Sequence, residues 1–215
     1  MDKNHPVCAE ILRCRLLAVI RLDDLSQSEA LAEALLEGGA TIHEFTLTSP
    51  GALQAIAQSR RRGLAGVTVG VGSVTDAQQA RDAIDAGAQY VVTPILDVAV
   101  IDTCRAAGVP IVCGALTPTE IFTAWKRGAD FVKVHPARVG GPSYIRDVLA
   151  PMPEVRLIPS AGVTAENAAE FLRAGAVALG VGGNLVRADL VAERRWKELS
   201  DLARRFVAAV AVPRA

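Results

Sequence analysis

Gly128-Ala129-Asp130-Phe131-Val132-Lys133-Val134-His135-Pro136 sets a glycine and a small residue ahead of an apolar, β-branched run. The same order recurs along the chain. Gly39-Ala40 precedes TIHEFTL, Gly87-Ala88 precedes QYVVTP, Gly108-Val109 precedes PIVCGAL and Gly175-Ala176 precedes VALGV. In chain order the five glycines lie 48, 21, 20 and 47 residues apart. Units of about 20–24 residues fit those gaps if two units are skipped. Gly63, 24 residues after Gly39, stands where one skipped unit belongs. Each glycine reads as the left-handed residue that ends a helix. Each following run reads as a buried strand of a parallel sheet. Eight such units need about 190 residues, and the chain has 215.

This pattern predicts an α/β protein: one (β/α)8 TIM barrel over residues 1–215, with an additional N-terminal helix. An open doubly wound sheet is the alternative, but eight similar units without a long break favour closure. The strands are expected at 16–22, 41–47, 67–73, 90–94, 110–116, 131–137, 156–160 and 177–181. A helix over about 6–14 precedes the first strand and plugs the barrel floor. A last helix over about 193–210 carries Trp196, Leu199, Leu202, Ala203 and Phe206 on one face, the spacing of a buried helical stripe.

Composition narrows the function. Half the residues (51%) are hydrophobic, which excludes a disordered chain. Lys plus Arg and Asp plus Glu both number 23, so the basic excess of a nucleic-acid binder is missing. No apolar run approaches the ~18 residues that span a bilayer. The opening Met-Asp-Lys-Asn-His-Pro lacks the basic-then-apolar order of a signal peptide. Cys8, Cys14, Cys104 and Cys113 show no C-x-x-C spacing, so neither a zinc site nor a disulfide framework is expected. The expectation is a cytoplasmic protein with free thiols.

In a barrel, alternate strand residues point inward and chemistry collects at the C-terminal ends of the strands. Leu17, Val19 and Arg21 share a face, as do Ile42, Glu44 and Thr46, with Thr48 continuing the second set. Val69, Val71 and Ser73 form a third set, and Phe131, Lys133 and His135 a fourth. If each polar-bearing face points inward, Arg21, Glu44, Ser73 and Lys133 converge on one mouth. Lys133 is one of four lysines, and the others (Lys3, Lys126, Lys197) sit in helical or terminal segments. On the pattern alone it is either an edge lysine reaching water or a Schiff-base nucleophile. A Schiff-base lysine attacks as the neutral amine, yet under ~0.1% of free lysine is neutral at pH 7. Desolvation at a barrel mouth raises that share. Glu44 is either a structural ion-pair partner or a general base. His135 is a spacer or a proton shuttle, and His43 faces the helix layer. Pro159-Ser160-Ala161-Gly162 and Gly180-Val181-Gly182-Gly183-Asn184 end strands seven and eight, where glycine backbones suit a phosphate.

These residues fall in a known order. The pieces are Ala18-Val-Ile-Arg21, Glu44-Phe-Thr-Leu-Thr48-Ser-Pro50, Gly70-Val-Gly-Ser73-Val74 and Val92-Thr-Pro94. They continue with Pro118-Thr-Glu120, Val132-Lys-Val-His-Pro136, Gly141-Pro142, Pro159-Ser-Ala-Gly162-Val-Thr164 and Gly182-Gly-Asn184-Leu-Val186. From about Leu16 to Val210 the chain resembles the class I 2-keto-3-deoxy-6-phosphogluconate (KDPG) / 4-hydroxy-2-oxoglutarate (KHG) aldolases. The resemblance implies a homotrimeric lyase without metal or cofactor, acting on a small keto acid. It implies that Lys133 forms an imine with the substrate ketone and that Glu44 is the acid/base. Ser73, where a threonine is usual, would hold the carboxylate with Arg21. Pro94 would wall the pyruvate end, and Gly162, Gly183 and Asn184 would bind phosphate.

The chain also departs from the family pattern. Thr48 stands where some members have arginine, Ala161 where a second glycine is usual, Asn184 for serine and His135 for phenylalanine. The expected reaction is cleavage of the 6-phosphogluconate-derived keto acid to pyruvate and glyceraldehyde 3-phosphate. Thr48-Ser49-Pro50 and Phe122-Thr123-Ala124 also resemble the phosphogalactonate branch, and 4-hydroxy-2-oxoglutarate remains open as a substrate. Two other classes remain open too: a phosphate-binding barrel isomerase or synthase with Glu44 as base, and a non-catalytic ligand-binding barrel.

Overall fold

Gly128 ends a helix at φ +97, with its N–H directed to the carbonyls of Ala124 and Trp125. Gly39, Gly63, Gly87, Gly108 and Gly175 also have positive φ, as the repeat requires. The computed structural model describes residues 5–213 of the chain. Lys3 and the opening residues 1–4 lie outside that range.

The order begins α1 (Pro6–Cys14), β1 (Leu16–Ile20), α2 (Ser28–Glu37), β2 (Ile42–Thr46), α3 (Ala52–Arg62) and β3 (Thr68–Gly72). It continues α4 (Ala77–Asp85), β4 (Val91–Val92), α5 (Val98–Ala106), β5 (Ile111–Ala115), α6 (Pro118–Arg127) and β6 (Phe131–Val134). It ends α7 (Gly141–Leu149), β7 (Leu157–Pro159), α8 (Ala168–Arg173), β8 (Leu179–Val181), α9 (Ala188–Ala192) and α10 (Trp196–Val210). All eight strands are parallel, in the order β7-β6-β5-β4-β3-β2-β1-β8. A parallel bridge at Ser160–Gly180 and the Val177 N–H to the Leu157 carbonyl close β7 on β8. The result is a (β/α)8 barrel.

Two cores follow from the alternation of side chains across each strand. Leu17, Ile42, Tyr90, Val92, Val112, Phe131 and Ile158 fill the barrel. Val7, Cys8 and Ile11 of α1 join them from below, so the N-terminal helix plugs the floor as expected. Leu16, Ala18, Ile20, Phe45, Val132 and Val134 face outward and meet the helices. The cysteines are unbridged, and burial pushes the Cys104 thiol up to about 12.

The observed strands are shorter than expected, most of them losing residues at both ends and β8 only at its start. The final helix starts at Trp196 rather than Glu193. The short α9 ends at Ala192 with Glu193 as its C-cap, and Arg194 turns left-handed at φ +55. The third strand has the opposite facing from the one expected. Gly70 pairs with Glu44 and Gly72 with Thr46, so the glycines point inward, while Val69 and Val71 join the outer core. Ser73 reaches the mouth through a left-handed backbone, φ +61, and not by alternation.

Candidate active site

Lys133 on β6 and Glu44 on β2 meet inside the barrel. Lys133 Nζ lies 3.5 Å from Glu44 Oε1, and their side chains are 8% and 2% exposed. The space comes from glycines. Lys133 pairs with Gly114, and a Cβ at Gly114 would overlap the Pro94 backbone. A Cβ at Gly72 would overlap the Glu44 carboxylate. Burial raises the Glu44 pKa, and the positive charges of Lys133 and Arg21 oppose the rise without cancelling it. A carboxyl so placed exchanges protons more readily near neutrality than a solvated one. Burying such a pair gains little stability, since desolvation offsets most of the attraction. Its position therefore suits chemistry more than folding.

Arg21, just beyond β1, reaches over β2, and its Nη2 donates to Ser73 Oγ at 3.2 Å. Thr48 takes no part in that contact. Its hydroxyl lies 3.0 Å from Thr46 Oγ1, and Thr46 in turn donates to the Ile20 carbonyl. Pro94 is half-buried, beside Thr93, whose hydroxyl accepts the Gly114 N–H and donates to the Ile95 carbonyl.

A cavity of about 280 Å³ opens above Lys133. It brings together Arg21, Lys133, His135, Gly162, Gly183 and Asn184. Thr48, Ser73 and Pro94 lie outside its lining, and Glu44 sits beneath the Lys133 amine. His135 is half-buried, and its Nδ1 is buried without a partner. Burial lowers its pKa, helped by the charges of Lys133, Arg21 and Arg138, so the ring is neutral at pH 7. Ala161 has φ +67 and Gly162 φ +106. Asn184 Nδ2 donates to the Val163 carbonyl at 2.8 Å, which ties the β7 and β8 loops together. Nothing crowds Gly183, so its backbone is open to a ligand.

Sequence reasoning missed Gly72, Gly114 and Arg138, and took Ser160 only as part of the stretch that ends strand seven. Ser160 and Arg138 line the cavity. The glycines carried a signal only in hindsight of the β2–β3 register. Arg138 follows Lys133-Val-His-Pro-Ala directly, and that proximity along the chain is its one sequence signal.

His43 faces outward, as expected. It is fully buried, with Nε2 2.9 Å from the Ala40 carbonyl, and burial lowers its pKa to about 4. Among the described residues no helix is long and apolar enough to cross a membrane.

The fold and this cavity can be set beside known proteins. The chain is 33% identical over 201 residues to the 2-dehydro-3-deoxy-phosphogluconate aldolase of Treponema pallidum (strain Nichols), covering 93% of this chain and 95% of that one. It is 31% identical over 198 residues to the 2-dehydro-3-deoxy-6-phosphogalactonate aldolase of Escherichia coli (strain K12), covering 91% and 96%. The crystal structure of 2-keto-3-deoxy-6-phospho-gluconate aldolase from Zymomonas mobilis ATCC 29191 superposes with a TM-score of 0.82 at 26% identity, covering 97% of this chain and 98% of that one. The profile of the KDPG and KHG aldolases matches residues 7–202. The protein belongs to the KDPG and KHG aldolase family.

Proposed function

We propose that the protein is a Schiff-base aldolase that cleaves 2-dehydro-3-deoxy-6-phosphogluconate to pyruvate and D-glyceraldehyde 3-phosphate. The observation that carries this reading is the buried Lys133–Glu44 pair, 3.5 Å apart beneath an open cavity. The neutral Lys133 amine attacks the C2 ketone, and loss of water gives an iminium. Glu44 takes the proton of the C4 hydroxyl. The C3–C4 bond breaks, its electrons pass to the iminium nitrogen, and the aldehyde leaves. Glu44 or a water it holds returns a proton to C3 of the enamine, and hydrolysis frees pyruvate and Lys133.

The remaining residues divide along the substrate. Arg21 and Ser73 hold the carboxylate beside the ketone. Pro94 walls the methyl end of pyruvate, and Thr48 stands with Arg21 on the carboxylate side. His135 packs along the chain of the bound keto acid, and Gly162, Gly183 and Asn184 border its phosphate. No step of this chemistry draws on a metal or cofactor.

A second reading within the family is the phosphogalactonate epimer. It is favoured by Thr48-Ser49-Pro50 and by the 31% identity to the Escherichia coli enzyme of that name. The unphosphorylated 4-hydroxy-2-oxoglutarate is the third substrate to compare. The protein is further proposed to be a single-domain homotrimer of the cytoplasm that serves carbohydrate breakdown of the Entner-Doudoroff type. Ile95 and Phe122 stay 51% and 43% exposed in the single chain, and burial between subunits would remove that apolar surface from water. Light scattering on the wild type and on Phe122→Glu tests this.

The deciding experiment is intact mass after incubation with pyruvate and borohydride, followed by peptide mapping. A reduced adduct on Lys133 supports the aldolase reading, and coupled assays with the three keto acids then rank the substrates. A folded protein without adduct at saturating pyruvate overturns it in favour of a barrel isomerase or a binding barrel.

A further inference from the structure

The aldolase reading leaves one cation of the cavity without a task. Arg138 lies in the short turn Ala137–Val139 after β6. Its backbone is pinned to the β7 loop: the Arg138 N–H donates to the Ala161 carbonyl at 2.9 Å, and the Ala137 N–H donates to the Ser160 carbonyl at 2.8 Å. A Cβ at Gly162 would collide with the Arg138 Cβ, so loop and arginine approach as closely as a glycine permits. The side chain is exposed and lines the cavity with Lys133, Gly162 and Gly183. Among the described residues no carboxylate lies within 4 Å of its guanidinium. Arg187, Arg195 and Arg204 are paired with carboxylates, whereas other exposed arginines such as Arg127, Arg146 and Arg173 are not, so it is the place of Arg138 on the cavity wall that sets it apart.

Two features set this end apart from a paired-glycine cradle. Ala161 carries a methyl at φ +67, where a side chain is unfavourable. The Asn184 amide already donates to the Val163 carbonyl. At the other end the Arg21 guanidinium reaches to Ser73, just after β3. The cavity thus carries the Arg21 and Arg138 guanidinia together with the Lys133 amine, and Glu44 interacts with Lys133 and Arg21.

We propose that Arg138 is the specificity-determining residue that reads the far anion of the substrate. It holds a terminal phosphate by charge-assisted hydrogen bonds, in place of a paired-glycine cradle. This assignment rests on the aldolase reading above.

The test compares aldol addition of pyruvate to glyceraldehyde 3-phosphate and to unphosphorylated D-glyceraldehyde. Wild-type enzyme prefers the phosphorylated aldehyde. Arg138→Ala lowers that preference, the ratio of the two kcat/KM values, by about 10- to 100-fold, the range expected for hydrogen bonds to a charged group. The change falls on the KM of the phosphorylated aldehyde, and inorganic phosphate becomes a correspondingly weaker competitive inhibitor. Arg138→Lys recovers part of the preference, which a purely structural role would not give. A wild type without preference, or a ratio that Arg138→Ala leaves intact, overturns the assignment while borohydride trapping on Lys133 still stands. Absence of trapping in the wild type overturns the aldolase reading and this assignment with it. Circular dichroism confirms that each variant is folded.

Discussion

Gly72 lies against the Glu44 carboxylate so closely that a methyl group on Gly72 would fill the space of Oε1. The register explains the contact. Gly72 on β3 pairs with Thr46 on β2, and Glu44 leans up the barrel from two residues earlier. Glycine weakens a strand interior, so its presence here marks a space requirement. Gly72→Ala must push the carboxylate off Lys133 or shift the strand. The expected cost is about 1–3 kcal/mol of stability, typical of overpacking, and a fall in kcat larger than the change in KM. Urea denaturation and steady-state kinetics check both.

Lys133 and Glu44 separate by variant. Lys133→Ala abolishes pyruvate trapping and cleavage. Because removing one partner leaves a buried carboxyl alone, Lys133→Met, of similar volume, distinguishes lost chemistry from lost fold. Glu44→Gln keeps the shape and still permits trapping, but slows turnover by about 10²- to 10⁴-fold, the range for a lost general acid or base. Turnover like that of the wild type in Lys133→Met would reject the imine mechanism.

The Arg21–Ser73 contact orients a cation for the carboxylate. Ser73→Ala removes the acceptor of that 3.2 Å hydrogen bond. The pyruvate KM in the addition reaction is expected to rise about 3- to 10-fold, the worth of one ordinary hydrogen bond, with little change in kcat. Ser73→Thr should retain the wild-type KM.

His43 makes stability depend on acid. Its imidazole is buried neutral, with its pKa lowered from 6.5 to about 4. Between those values the unfolded chain binds a proton that the folded chain refuses. The folded state keeps its full margin above about pH 6.5 and loses it as pH falls toward 4, by roughly 3 kcal/mol in all. The lowered pKa of His135 acts in the same direction. Denaturant midpoints at pH 7.5, 5.5 and 4.5 should fall with pH, and less steeply in His43→Gln.

What the sequence disclosed and what it hid follow from the physics of each strand. On β6 the alternation of Phe131, Lys133 and His135 mixes apolar and charged residues, so its inward face was legible and the pairing with Glu44 followed. On β3 the alternation is valine against glycine. Hydrophobicity favours the valines as the inner face, yet space for Tyr90 and Glu44 demands the glycines there. Ser73 stands at the mouth because its own left-handed backbone carries it there, and not by alternation. Arg138 was hidden because an arginine in a loop resembles any solvated charge until the β7 loop is seen folded against it. The left-handed glycines were legible because helix ends impose a local rule, and the repeat displayed that rule six times.

The closing edge of the barrel and the floor of the cavity are the same place. Between β7 and β8 the backbone contributes the Ser160–Gly180 bridge and the Val177 N–H to Leu157, with the Asn184 amide as a rivet above them. Gly162 and Gly183 stand on opposite sides of that seam. A molecule held between them acts as a clasp that fastens the last strand to the rest of the ring. The chain would then gain rigidity at the moment it takes up its cargo, and resistance to heat would become a ligand assay in its own right, rising with the logarithm of ligand concentration.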